Sequence, residues 1–512
     1  MVPVSLIKYL RPLGAVFSGA IATFSFAPYH WWPLAIVSTT VLLLCLHKQS
    51  AKQGALIGLL WGLGQFGTGI SWVHVSIANF GGVPLLVGWF MMALLIGYLA
   101  LYPAAFGYLY NRFFRQLSSP LRLVLFAPIL WLLLDWLRGW FLTGFPWLWL
   151  GYSQTEGPMA PIAPILGVEG ITVAIVVISA ALAGIIAEKR YRLISAPLLI
   201  ATMTFVSHQT QWVTPEPERK VDIAIIQGNI AQELKWLPSQ RWPTLMTYAD
   251  LTRKNWQADI VIWPEAAIPA LEEEVAMFIG RMDSAAKLNE ATLITGVLDH
   301  VGEQVYFNNI LTIGENGQDE YTYETAQRYS KHHLLPFGEF VPFESILRPL
   351  APIFNLPMSS FSRGDYIQPN LIAGENQIAP ALCYEVAYNE QVRRNVTADT
   401  DILLTLSNDA WFGASIGPHQ HLEIAQMRAL ELGRPMIRST NTGISALINH
   451  KGQIIATIPQ FEQTVLRDYL VPTVGQTPYH RYGSMPLWIA SLLGLGLLLV
   501  AQRKQKPATC CQ

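Results

Sequence analysis

The chain has 512 residues, of which 52% are hydrophobic and only 13% charged, with a formal net charge of -1. Soluble domains carry about 25% charged residues, so the composition excludes a disordered chain, nucleic-acid binding through bulk charge and an ordinary cytosolic enzyme. The small net charge averages two unlike regions: residues 1–210 with 484–512 hold 14 Lys+Arg against 4 Asp+Glu, and the stretch between them 20 against 31. A basic, apolar part suited to lipid therefore encloses an acidic, water-facing part.

Apolar runs long enough to cross a bilayer, about 17–25 residues, occur near 10–28, 30–47, 54–74, 84–110, 121–141, 165–187, 192–209 and 484–502. They predict eight transmembrane helices, seven before the acidic segment and one after it. Lys and Arg in short connections stay on the cytoplasmic side. Here they fall in alternate connections: Lys8 and Arg11; Lys48 and Lys52; Arg112, Arg115 and Arg122; Lys189, Arg190 and Arg192; then Arg503, Lys504 and Lys506. Of the basic residues, the intervening loops hold only Arg138. Both termini are thus expected in the cytoplasm and the acidic segment on the opposite face. The expected organisation is a membrane domain over 1–211, a soluble domain over 212–483, and a membrane helix with a cytoplasmic tail over 484–512. Asp135 and Arg138, near one end of a span, read as an ion pair on one helix face, with contact to a lipid headgroup as the alternative.

Past Pro215 and Pro217 the pattern changes to short β-branched runs. Val221–Gln227, Ala258–Trp263, Thr292–Leu298, Phe307–Ile313, Gln377–Leu382 and Ile402–Leu406 predict strands, and Thr244–Asn255, Glu272–Asn289 and His419–Leu432 predict helices. Strands apolar on both faces and alternating with helices point to a layered α/β domain with covered sheets. There is neither a glycine-rich phosphate loop nor a zinc spacing. His332, His333, His419 and His421 lack a completing ligand set, so no metal and no cofactor is expected.

In such sheets reactive groups collect where strands end. Glu265 follows Asp-Ile-Val-Ile-Trp-Pro, Lys331 lies in Arg-Tyr-Ser-Lys-His-His-Leu-Leu-Pro-Phe-Gly-Glu, and Cys383 follows Ala-Pro-Ala-Leu. Singly, each has a plain reading as a solvated carboxylate, a surface charge or a packed thiol. Together they supply a base to take a thiol proton, an ammonium to stabilise an oxyanion, and a nucleophile.

The order Trp-Pro-Glu, then Lys with Pro-Phe-Gly-Glu downstream, then Cys-Tyr-Glu resembles the carbon-nitrogen hydrolase, or nitrilase, superfamily. Fusion to a membrane block, with Phe-Pro-Trp and Gly-Tyr-Ser-Gln inside it, resembles the apolipoprotein N-acyltransferases of bacterial lipoprotein maturation. The resemblance implies an αββα sandwich with Glu265 as general base, Lys331 as oxyanion stabiliser and Cys383 as nucleophile. It also implies that Glu339 positions the lysine, that Tyr384 and Glu385 support the nucleophile, and that Trp236 lies on an active-site loop. The implied reaction moves an acyl chain from a membrane phospholipid through a cysteine thioester to the α-amine of a diacylglyceryl-modified apolipoprotein. The site would then face the periplasm from the inner membrane. Phe343–Phe361, apolar and broken by prolines, is expected to dip into lipid or close over the site. Alternatives are a membrane-tethered amidase or nitrilase that hydrolyses its thioester, and a non-catalytic lipid-binding or transport protein.

Overall fold

The computed structural model describes residues 4–80, 84–302, 305–323, 325–341 and 361–505. The expected covering loop Phe343–Phe361 lies outside the described residues apart from Phe361, as do Lys506, Cys510 and Cys511. The chain forms two compact units: Met1–His74 with Leu85–Gln211 and Arg481–Gln512, and Val75–Pro84 with Trp212–His480.

The first unit is helical. Its main helices are Val4–Ile21, Pro33–Leu46, Ala51–Gly69, Leu85–Arg112, Ala127–Trp140, Ala163–Glu188, Ser195–His208 and Met485–Gln505. Of the eight crossings expected, four have the length and hydropathy to span a membrane among the described residues: Leu85–Arg112, Ser119–Thr143, Ala160–Glu188 and Met485–Gln505. Pro33–Leu46 is apolar but shorter. The first helix ends at Ile21, so the run read as 10–28 finishes in a 3-10 turn, Ala22–Ser25, rather than a continuing span.

Ala51–Gly69 is diluted by glycines, and packing explains them. A Cβ at Gly58 would sit 1.9 Å from the Pro103 carbonyl oxygen, and one at Gly54 2.3 Å from that of Gly107. The helices Ala51–Gly69 and Leu85–Arg112 therefore meet backbone to backbone, the close packing that associates helices in lipid. A reciprocal cap starts the former: Gln53 N–H donates to Ser50 Oγ at 3.3 Å, and Ser50 N–H to Gln53 Oε1 at 3.1 Å. Arg138 pairs with Asp135 at 2.9 Å and also donates to the carbonyls of Phe145 (3.0 Å) and Trp147 (2.6 Å). The guanidinium is thus buried among partners from its own chain and pins the turn through Pro146.

The second unit contains β1 (Val213–Pro215), β2 (Val221–Gln227), β3 (Ile260–Ile262), β4 (Ile268–Leu271), β5 (Thr292–Val301), β6 (Val305–Gly314), β7 (Gln327–Ser330), β8 (Leu371–Ala373), β9 (Asn376–Leu382), β10 (Ile402–Ser407), β11 (Met436–Thr440), β12 (Ser445–Ile448), β13 (Ile454–Ile458), β14 (Thr464–Leu470) and β15 (Thr473–Gly475). One sheet runs β14-β2-β3-β5-β6-β7 with β4 beside β5, and the other β13-β12-β11-β10-β9-β8. The centres, β2-β3-β5 and β9-β10-β11, are parallel. Both faces of such strands must be covered, which is why β2, β3 and β10 read as mainly apolar runs, whereas β11 carries Arg438, Ser439 and Thr440.

Ile223, Ile262, Ile294, Ile378, Leu404 and Ile437 form a buried core drawn from both sheets. Full burial of each such side chain contributes about 1.5–3 kcal/mol, so this shared interior joins the sheets. On the outer face of the first sheet, Val261, Trp263 and Leu293 pack with Leu245 and Tyr248 of Arg241–Arg253 and with Ile279 and Met282 of Ala276–Leu288. Helices Asn389–Asn395 and Gly417–Leu432 pack on β9 and β11 of the second. The order is helix, sheet, sheet, helix.

Candidate active site

Three strand ends converge. β3 ends at Ile262 and leads through Trp263 and Pro264 to Glu265, which is 7% exposed. Its backbone turns sharply at Ala266 (φ 46°), against Gly296 of β5. A Cβ at Gly296 would lie 2.4 Å from Ala266 N and 2.8 Å from Glu265 Cα, so only glycine lets the two segments touch.

β7 ends at Ser330, and the next residue is Lys331, 2% exposed. Its Nζ lies 2.8 Å from Glu339 Oε1 and 3.3 Å from Glu265 Oε1. Asn308 Nδ2 donates to the same two oxygens at 2.9 Å (Glu265) and 3.0 Å (Glu339), while the Leu335 N–H donates to Glu339 Oε2 at 2.8 Å. Burial opposes the ammonium, but Glu265, Glu339 and the thiol side of the site outweigh it and hold Lys331 well above its usual pKa. It is a fixed cation.

β9 ends at Leu382, and Cys383 begins a 3-10 turn, Cys383–Ala387, with φ at 51°. A non-glycine residue there is strained by about 1–3 kcal/mol, so neighbours must hold it. Glu385, fully buried, does so: Oε2 accepts from the Leu382 N–H (2.7 Å) and the Tyr329 hydroxyl (3.0 Å). Its Oε1 accepts from the N–H groups of His332 (2.8 Å) and His333 (2.9 Å) and from Gln391 Nε2 (2.8 Å). One carboxylate thereby ties the cysteine turn to the loop just after Lys331. His421 Nε2 donates to the Cys383 carbonyl at 3.1 Å.

The thiol is partly buried and unpaired by disulfide. Burial pushes its pKa up, Glu265 and Asp409 push the same way, and Lys331 and Ser407 pull against them. At neutral pH it is a thiol, within the electrostatic reach of both Glu265 and Lys331. Ser407 Oγ lies 3.3 Å from Sγ and 2.6 Å from Asp409 Oδ1. Burial opposes the Asp409 charge, yet Arg438, at 2.6 Å, with His421 and Ser407, holds its carboxyl below the usual range.

The structure thus brings Glu265, Lys331, Cys383, Glu339 and Glu385 to one place. Tyr384, 7% exposed, packs edge-on to Tyr388 at 5.2 Å, and Tyr388 stacks on His333 at 3.5 Å. Trp236 is exposed and lies beside Lys235, whose ammonium is 5.9 Å from the indole. Sequence reasoning missed Lys235, which is 2% exposed and donates to the Glu265 carbonyl at 3.2 Å. It also missed Asn308, Ser407 and the contact that His421, within Gly417–Leu432, makes with Cys383. The chance to find Lys235 lay in its being next to Trp236; Asn308 and Ser407 carry no local signal. The segment Val75–Pro84 also belongs to this unit, where Ser76 Oγ donates to the Trp411 carbonyl at 2.7 Å.

Two family models match: the apolipoprotein N-acyltransferase N-terminal domain over residues 18–181 and carbon-nitrogen hydrolase over 222–479. Several similar proteins carry the name apolipoprotein N-acyltransferase. That of Photobacterium profundum is 61% identical, over 97% of this chain and 96% of its own. That of Vibrio vulnificus is 56% identical, over 96% and 97%. That of Vibrio cholerae serotype O1 is 56% identical, over 98% and 99%. Among solved structures, a carbon-nitrogen hydrolase from Helicobacter pylori G27 aligns with a TM-score of 0.37 at 14% identity, over 49% of this chain and 89% of its own. With identity this high along almost the full length, the chain belongs to the apolipoprotein N-acyltransferase family, an enzyme whose second half is a carbon-nitrogen hydrolase domain.

Proposed function

We propose that Cys383 carries an acyl group from a phospholipid to the N-terminal amine of a diacylglyceryl-modified apolipoprotein. The observation that carries this reading is the shared Glu265–Lys331–Glu339 cluster within electrostatic reach of the Cys383 thiol. Glu265 removes the thiol proton as Sγ attacks the ester carbonyl, and Lys331 stabilises the oxyanion. Collapse breaks the ester bond, and protonated Glu265 returns its proton to the departing alkoxide, releasing lysophospholipid. The substrate amine then attacks the thioester, Glu265 takes its proton, and the thiol is regenerated with the amide formed. No ATP and no cofactor enter this balance. Glu339 positions Lys331, Glu385 and Tyr384 fix the nucleophile turn, and Trp236 borders the approach.

The helical unit supplies the reason for a membrane. Each acyl methylene is worth about 0.8 kcal/mol in an apolar environment, so both lipid substrates are best met at the bilayer surface. In this reading eight helices cross the inner membrane, residues 1–211 and 484–512 make the membrane part with both termini cytoplasmic, and 212–483 face the periplasm. The test is intact mass spectrometry after exposure to phospholipid. An acyl-sized mass gain on Cys383, discharged by an amine-bearing diacylglyceryl peptide with appearance of the amide, is the expected result. Discharge as free fatty acid at the same rate with or without the peptide would instead indicate a hydrolase.

A further inference from the structure

The helical unit holds a cavity of about 290 Å³ whose lining residues all lie outside the catalytic unit. Lys48, Arg115 and Arg122 line it, alongside the apolar Leu46 and Leu123. Glu188, the one carboxylate lining it among the described residues, is already engaged by Ser119 Oγ at 2.7 Å, His47 Nδ1 at 3.6 Å and Arg190 Nε at 3.7 Å. Among the described residues no carboxylate lies within ion-pair distance of Lys48, Arg115 or Arg122. Arg122 donates through Nη2 to the Tyr110 carbonyl at 3.3 Å and lies over that ring at 4.9 Å, but its Nε is buried with no partner. Arg122 also opens a π-helical turn, Arg122–Phe126, the kind of local irregularity that is frequent at functional sites.

A buried donor left without a partner is unfavourable, and clustered cations repel one another. An anion in the cavity removes both penalties. Phosphate fits best, because a guanidinium presents parallel donors to it. The apolar wall beside the cations suits the first carbons of an acyl chain. We infer that this cavity binds the phosphate group of an anionic amphiphile, at a site separate from the one where Cys383 reacts.

The test uses the full chain in detergent, by native mass spectrometry. Phosphatidylglycerol, diacylglycerol with the same chains, and inorganic phosphate are offered in turn to the parent, R122Q and R115Q. Arg115 is exposed, so R115Q keeps the question open should R122Q fail to fold, and melting temperatures identify a misfolded variant. The parent is expected to retain one phosphatidylglycerol more than either variant, with affinity at that site falling about tenfold per lost charge-assisted hydrogen bond. Diacylglycerol should show no such difference. Displacement of the extra lipid by inorganic phosphate identifies the phosphate alone as the recognised group, and retention against it identifies the lipid. Equal phosphatidylglycerol stoichiometry and affinity in the parent and a folded R115Q overturns the inference.

Discussion

A nucleophile that is pushed toward its neutral form by burial and by two carboxylates cannot wait as a thiolate. Cys383 is in this position, so in the proposed reaction its proton leaves during attack, and Glu265 is the base proposed to take it. E265Q should lower the rate of thioester formation by about 10²–10⁴-fold. K331M should lower it by about 10²–10³-fold through loss of oxyanion stabilisation. Single-turnover mass spectrometry of Cys383 reads both, and a normal rate in either variant removes that residue from the chemistry. Lys235 makes a prediction of a different kind. Burial pushes it down to about 8 from the usual 10.5, against the pull of Glu265 and Cys383. Between those pH values the unfolded chain holds more protons than the folded one, so this residue makes stability rise with pH. K235M removes that dependence, and the parent should gain about 3 kcal/mol on the variant between pH 8 and 10.5, read as a shift in the gap between their melting temperatures. The three residues proposed as a triad stood out in the sequence because each sits in a distinctive string of neighbours. Asn308 and Ser407 were not, since their importance comes from what folding places opposite them: two glutamate oxygens and a sulfur.

At the scale of elements, the strands that read clearly are apolar runs buried on both faces, whereas β11, equally buried, escaped because Arg438, Ser439 and Thr440 break its apolar pattern. β2 matches its predicted bounds, and β5, β6, β9 and β10 lie within a few residues of theirs. The other strands that escaped include short ones, such as β4, β7 and β8 with three or four residues, and one with charged residues at a sheet edge, β14 with Arg467 and Asp468. Pairing partners distant in sequence make these segments into strands, and no local pattern records the partner. The join between β3 and β5 shows how closely such partners are matched. Gly296 lies under the Glu265–Ala266 backbone with no room for a methyl group, so G296A must push either the strand or the glutamate. Overpacking of this kind costs about 1–3 kcal/mol. The expected outcome is a lower melting temperature together with a loss of thioester formation larger than the stability change explains, since the residue displaced is the proposed base. A G296A enzyme with parental single-turnover rates would show that Glu265 tolerates the shift.

Across the whole molecule, the face on which the catalytic unit lies depends on one modest helix. In the proposed topology the cations Arg112, Arg115 and Arg122 hold one connection on the cytoplasmic side, and Lys189, Arg190 and Arg192 the next but one. From Arg192 the chain must cross once more to place Cys383 in the periplasm, and the only helix available before β1 is Ser195–His208, with 14 residues. At 1.5 Å per residue it is about 21 Å long, against a hydrocarbon core of about 30 Å. The 3-10 turn Tyr191–Ile194 precedes it, and at about 2.0 Å per residue it extends the rod to about 29 Å. Exposed Leu198, Leu199, Phe205 and Val206 give that rod a lipid-compatible surface. A crossing is therefore possible with little to spare. The helix Met485–Gln505 supports the same sidedness from the other end, because Arg503 and Lys504 close it with cations. Alkaline phosphatase, active only outside the cytoplasm, should be inactive when fused after Arg192 and active when fused after Gln211. Inserting two aspartates between Ile200 and Ala201, where a mid-bilayer carboxylate costs about 2.5–3.5 kcal/mol, should silence the Gln211 fusion. Activity after Arg192, or none after Gln211, would put the catalytic unit on the cytoplasmic face and separate it from periplasmic substrates.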